Sequence, residues 1–289
     1  MLNLGLGALV KQEASAEELS YDYLDTVMLY NEACEELTIV CDQFDQICVA
    51  YENLIAISEV IREHGVTPAL ESLVGGNFAN GLTLEASMEA EKGALEKIKD
   101  FLVKVWEAIK NFFTRFFTST FGLNARLENR IKELEAAKEI VIHSFKGLDV
   151  IGDGQSVDVA KVFYGGISEA TGALQENPDV SEPELKEQNL TKDNAVKYGK
   201  TLLALLKKAA NAKSNLEKTL DDNIKKAKEL KEDSKEAVET LKKEAKAARE
   251  IIVPWAKAMH TTAAGYLTHV HAGKDEAKPA DDAAKNEGK

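Results

Sequence analysis

Three cysteines, three clustered histidines and many carboxylates are the side chains here whose types and spacing could do chemistry. Cys34, Cys41 and Cys48 recur every seven residues. On a helix that places them on one stripe, with neighbours two turns and roughly 10 Å apart. A disulfide needs Cα atoms within about 7 Å, so neighbours cannot pair. No histidine shares the stripe. The spacing predicts reduced thiols buried along a helical seam, in a reducing compartment. His260, His269 and His271 lie close in sequence, and His269-Val270-His271 could chelate only if the chain is extended there. No Cys or acidic ligand accompanies them at a suitable spacing, so no metal site is predicted. Gly152-Asp153-Gly154 has neither the preceding strand nor the following Gly-Lys-Ser/Thr of a phosphate-binding loop. Asn189-Leu190-Thr191 matches a glycosylation sequon but has no signal peptide to go with it. The carboxylates sit on helical faces where water solvates them. No Ser/His/Asp arrangement has a supporting local signature. The chain is therefore expected to be no enzyme, with no catalytic residue and no cofactor.

The elements around these residues read as helices. Ala, Glu, Lys and Leu dominate, aromatics are 7% and prolines number five, a palette of long helices rather than sheets. The seam residues Val27, Tyr30, Cys34, Leu37, Cys41, Phe44, Cys48, Tyr51 and Ile55 alternate steps of three and four, the pattern of a helix packed on partner helices. His64-Gly65 should end this helix, with Thr67-Pro68 starting the next. Residues 95–121 carry an apolar stripe containing Trp106, Ile109, Phe112, Phe113, Phe116 and Phe117, with Phe101 beside it and Lys97, Lys99, Lys104 and Lys110 opposite. Such a helix either buries its aromatic face in a core or lays it on a membrane or partner. Helical character is expected to continue to residue 146, through Val141, Ile142 and Phe145. Breaks are expected at 147–156, at Gly165-Gly166 and at 176–194. Between 195 and 252 the three-four spacing would allow one continuous helix on the order of 85 Å long, with a kink or break at Pro254. The tail 273–289 is charged and low in complexity, and is expected to be disordered. The fold class is all-α, with long helices in an elongated, coiled-coil-like bundle and no sheet of more than two short strands.

Charge divides the chain more sharply than pattern does. Residues 1–89 hold 16 acids against two bases, Lys11 and Arg62, a net −14. Residues 90–289 hold 33 acids and 34 bases, a net +1. In the later part Glu interleaves with Lys and largely cancels any field for nucleic acid. No stretch approaches the ~18 apolar residues that span a bilayer, and Met1–Val10 lacks the basic flank of a secretory signal. The expected organisation is an acidic helical propeptide-like region (1–89), an aromatic-rich region (90–175), a linker (176–194), a long Ala/Lys/Glu-rich helical region (195–272) and the tail.

The charge switch falls at GGNFANGLTLEASMEAEKG (75–93), whose Gly75, Gly76 and Gly81 favour open backbone. Within it, Ser87-Met88-Glu89 precedes Ala90. This resembles the cleavage motif of prohead proteases in phiKZ-related giant tailed bacteriophages, where the cut follows a Glu with a small residue two positions earlier. Ser15-Ala16-Glu17 and Ser234-Lys235-Glu236 also fit, but they lack the glycines and the charge step. An acidic helical segment ahead of such a site, with KDFLVKVWEAIKNFFTRFF soon after, is similar to the internal head proteins of those phages. The resemblance covers roughly residues 80–120. It implies a virion structural protein of the capsid interior, made in the host cytoplasm and cut between Glu89 and Ala90 by the prohead protease. It further implies capsid or scaffold proteins as partners, with packaged DNA, a membrane or further copies of the chain as others, and ejection with DNA as one fate. Two other readings are a membrane-active protein acting through 95–121 and an unprocessed helical adaptor. The aromatic face is expected to rest on the acidic seam before the cut and become available after it.

Overall fold

A computed structural model describes residues 21–65, 67, 84–151, 155–176, 183–230 and 235–273. The glycines of 75–81, Ser15-Ala16-Glu17 and the tail beyond Gly273 lie outside the described residues. Helix α1 (Tyr21–His64) is a single rod, and its predicted seam residues are buried or half-buried. It ends at Gly65, whose φ of 71° few other residues adopt and whose N–H donates to the Ile61 carbonyl at 2.8 Å. Helix α2 (Leu84–Ala136) has 53 residues, a length of about 80 Å. It is the central element, packed on α1 and on the helices that follow.

The chain then departs from the helical expectation. Ile140–Ile142 is strand β1 and Phe145–Gly147 is strand β2. The Ile-Val-Ile run is β-branched and fits a pleated surface better than a helix. Helix α3 (Gln155–Glu176) bends at Gly166, with φ 60° and ψ −150°, as its glycine pair predicts. Strand β3 (Lys186–Gln188) follows, then α4 (Lys192–Asn211), α5 (Lys213–Lys228) and α6 (Lys235–Ala247). A π-turn (Ala248–Ile252), α7 (Val253–His269) and strand β4 (Val270–Ala272) complete the order. The continuous helix envisaged over 195–252 is thus divided at Ala212 and near Glu229. At Pro254, by contrast, the helical run does not break. The preceding turn widens, the Val253 N–H reaching the Ala248 carbonyl five residues back, which absorbs the donor and the space that proline removes.

Strand β1 pairs antiparallel with β4, and β2 with β3. Each is a two-stranded sheet of three-residue strands, so the described architecture is all-α with two short clips. One hydrophobic cluster runs from Tyr30 to Val270. The helices on either side of 176–194 share it.

Two close approaches fix α7 in this core. A Cβ on Gly199 in α4 would lie 2.5 Å from the Tyr266 hydroxyl oxygen and 2.8 Å from Cζ of its ring. On Gly265 it would lie 2.8 Å from Phe145. The Tyr266 hydroxyl donates to the Ala195 carbonyl at 3.0 Å, and the Tyr198 hydroxyl to the Leu148 carbonyl at 2.6 Å. Arg130 of α2 donates to the carbonyls of Leu267 (3.3 Å) and Val270 (2.6 Å), closing the C-terminal end of α7.

Candidate processing site and the covered aromatic face

Glu89 and Ala90 lie in the second turn of α2, where the expectation had been extended backbone. The physical reason is local. Between Gly81 and Gly93 the sequence LTLEASMEAEK holds strong helix formers and no glycine. Glu89 is exposed and Ala90 half-buried, while the side chain of Ser87 is outside those described. Leu95 is the first fully buried side chain of α2 among those described. The turns ahead of it carry the exposed Glu89 and Lys92. Their first four N–H groups lack intrahelical partners, and Gly93 weakens the turn behind them by about 1 kcal/mol relative to Ala. Local unwinding there exposes the Glu89–Ala90 bond at small cost.

The aromatic face is placed as a core. Trp106, Ile109, Phe112, Phe113, Phe116 and Phe117 are all 0% exposed, and Phe101 is partly buried with the Lys104 ammonium 4.3 Å from its ring centre. Of the two placements that the spacing leaves open, a core or a membrane or partner surface, these residues take the core in the folded chain, where they face other helices. Phe121, one turn on, is 56% exposed with Lys213 5.7 Å above its ring. No described helix is long and apolar enough to cross a membrane.

Helix α1 supplies part of the cover, running antiparallel to α2. Tyr30 sits 5.7 Å from Phe112 and 6.5 Å from Phe116, and stacks on His260 of α7 at 4.2 Å. His260 in turn meets the Ser119 hydroxyl at 2.6 Å through Nε2. Three polar contacts edge the seam: Asn111 donates to Glu36 at 2.8 Å, Arg249 to Asp45 at 2.8 Å, and Lys242 lies 3.7 Å from Glu52. Helices α4, α5 and α7 also pack on α2, so α1 is one of several elements against it.

The thiols lie on the same seam. Cys41 and Cys48 are buried, Cys34 is half-buried, and all three are free. Burial pushes each thiol upward, Cys48 to about 11, against the opposing pull of Lys257 on Cys34, Arg249 on Cys41 and Lys242 on Cys48. These are poor nucleophiles in the folded chain. Among the described residues no cluster of three or more His, Cys, Asp or Glu could hold a metal. The chain is in fact extended at His271, and the His143 N–H donates to the His269 carbonyl at 2.9 Å. However, Nδ1 of His271 faces the Arg130 guanidinium at 2.6 Å. No local spacing points to Arg130, which lies 141 residues away.

Residues 67–166 match the family model of phiKZ-like phage internal head proteins. This segment is similar to phiKZ-like internal head proteins. The match takes in Ser87, Glu89 and Ala90, all of α2 and the chain up to the bend of α3, about a third of the molecule. It carries the resemblance read from residues 80–120, and the family it names is one of the phage head interior. No curated protein and no solved structure matches the chain. Helix α1 and helices α4 to α7 lie outside the matched segment.

Proposed function

We propose that this chain is a non-enzymatic structural protein of the virion interior that the phage's prohead protease cuts between Glu89 and Ala90 during head maturation. The observation that carries the reading is the match of residues 67–166 to internal head proteins, with Ser87-Met88-Glu89 inside it. Three further features support it. The net charge changes from −14 to +1 at that bond. Glu89 is exposed on turns that lie ahead of Leu95, the first buried side chain of α2 among those described. The product would begin AEKGALEKIK, keeping the buried residues of α2 from Leu95 onward in one chain. A near-neutral product repels packaged DNA far less than the acidic precursor does.

The test is the amino terminus and mass of the protein recovered from virions, beside those of a Glu89→Gln variant. The expected results are a wild-type product starting at Ala90 and a variant that stays uncut with an unchanged melting temperature, since Glu89 is an exposed carboxylate. Retention of Met1–Glu89 by the virion protein, or normal maturation of the variant, would leave the unprocessed adaptor as the better account.

A further inference from the structure

The outward side of α1 carries a ladder of large aliphatic side chains in a field of one charge. Met28, Ile39, Val49 and Val60 are spaced 11, 10 and 11 residues apart. They are 60%, 58%, 57% and 39% exposed. In heptad terms Met28 and Val49 share a stripe with Glu35 and Asp42, and Ile39 and Val60 share the adjoining stripe with Glu32. The two stripes lie opposite the seam of Tyr30, Leu37, Phe44 and Tyr51. From Thr26 to Ile61 the helix has seven carboxylates and no Lys, Arg or His. Glu36, Asp45 and Glu52 turn to the body of the protein, as described above. Glu32, Glu35 and Asp42 stay with the exposed aliphatics.

Large aliphatics left this exposed along one side of a helix are available for contact, and the charge of that side selects the occupant. Nucleic acid and anionic lipid are repelled. A second copy presenting the same face would set carboxylate against carboxylate. From Met28 to Val60 the ridge is about 48 Å long. At about 10 Å wide it offers roughly 500 Å² to a partner, the low end of specific interfaces. We propose that the outward face of α1 docks a basic amphipathic helix of another protein, whose apolar residues meet Met28, Ile39, Val49 and Val60 and whose Lys or Arg side chains flank Glu32, Glu35 and Asp42. Attraction between the two charge patterns steers the encounter and the aliphatic contacts fix the register. The surface is present on the uncut chain and does not depend on cleavage at Glu89.

The full-length protein is titrated into two fluorescein-labelled synthetic helical peptides of about 30 residues. Both carry Leu at three-four spacing; one is flanked by Lys, the other by Glu. Saturable binding of the Lys peptide alone is expected, weakening at least tenfold between about 50 and 300 mM salt as the Debye length shortens. The pair Ile39→Asn and Val49→Asn, and separately the pair Glu35→Lys and Asp42→Lys, should each weaken it tenfold or more at an unchanged melting temperature. No saturable binding, equal binding of the Glu peptide, or full binding by the Asn pair would overturn the proposal. So would self-association of the full chain that the Asn pair abolishes, which would make a second copy the occupant.

Discussion

His260 is enclosed between Tyr30 and Ser119, and burial alone brings its pKa down to about 4 from the usual 6.5. A group whose folded pKa lies below its unfolded value adds nothing adverse while the pH stays above the unfolded value. Below it, the unfolded chain takes up a proton that the folded chain refuses, and stability falls until the pH reaches the folded value. The window here runs from about 6.5 down to about 4. With ~1.4 kcal/mol per unit, moving from pH 7.5 to pH 5 should remove on the order of 2 kcal/mol through this one ring. His269 and His271 are also lowered, first by burial, and act in the same direction. Urea unfolding at the two pH values measures the loss. His260→Gln should leave a visibly shallower dependence, and an unaltered slope would remove His260 as its source.

Between helices the controlling feature is closeness of approach. Ala in place of Gly199 would gain about 1 kcal/mol of helix propensity in α4. Its methyl would lie within 3 Å of two Tyr266 atoms, and overpacking of this kind costs ~1–3 kcal/mol. The clash should win, because Tyr266 is fully buried and tied by its hydroxyl to Ala195. Gly199→Ala is expected to lower stability by up to about 2 kcal/mol net, and Tyr266→Phe in the same chain should recover part of it, since the nearest clashing atom is the hydroxyl oxygen. A stabilised Gly199→Ala protein would contradict this packing. Elements of this kind were unevenly legible in the sequence. The α1 seam, its stop at Gly65 and the bend at Gly166 are written in local spacing and in glycine, so they could be read. The strands at 140–147 and at 270–272 were missed because each is defined by a partner far along the chain, Ile140 by Ala272 and Phe145 by Gln188. Pro254 predicts a kink or break because the rule is local, while the widened turn that accommodates it is not. At the candidate site the motif and the charge step are legible, but the helical state of Glu89 is not, since the nearby glycines favour open backbone while the Ala/Glu/Met run that follows them favours helix.

At the scale of the molecule, cutting one peptide bond and separating two pieces are different events. The bond after Glu89 is a single peptide of α2, and hydrolysis there leaves the contacts of Tyr30 with Phe112, Phe116 and His260 in place. Each such buried side chain contributes ~1.5–3 kcal/mol, and the seam holds several of them along a 44-residue helix. The processed protein should therefore be a nicked heterodimer: fragment 1–89 remains seated as a separate chain until a further cut inside α1, or a competitor for the seam, dislodges it. The three cysteines make this directly observable, because all of them lie on the smaller fragment and on its inner side. After protease treatment of the folded protein, the fragments should co-elute in native size exclusion, with Cys41 and Cys48 reacting slowly with maleimide. Denaturant should release a fast-labelling 1–89 piece. If that piece is already free and promptly labelled in native buffer, the seam is too weak to outlast the cut. Fast labelling would then time the departure of the acid from the head interior, one thiol stripe serving as the clock.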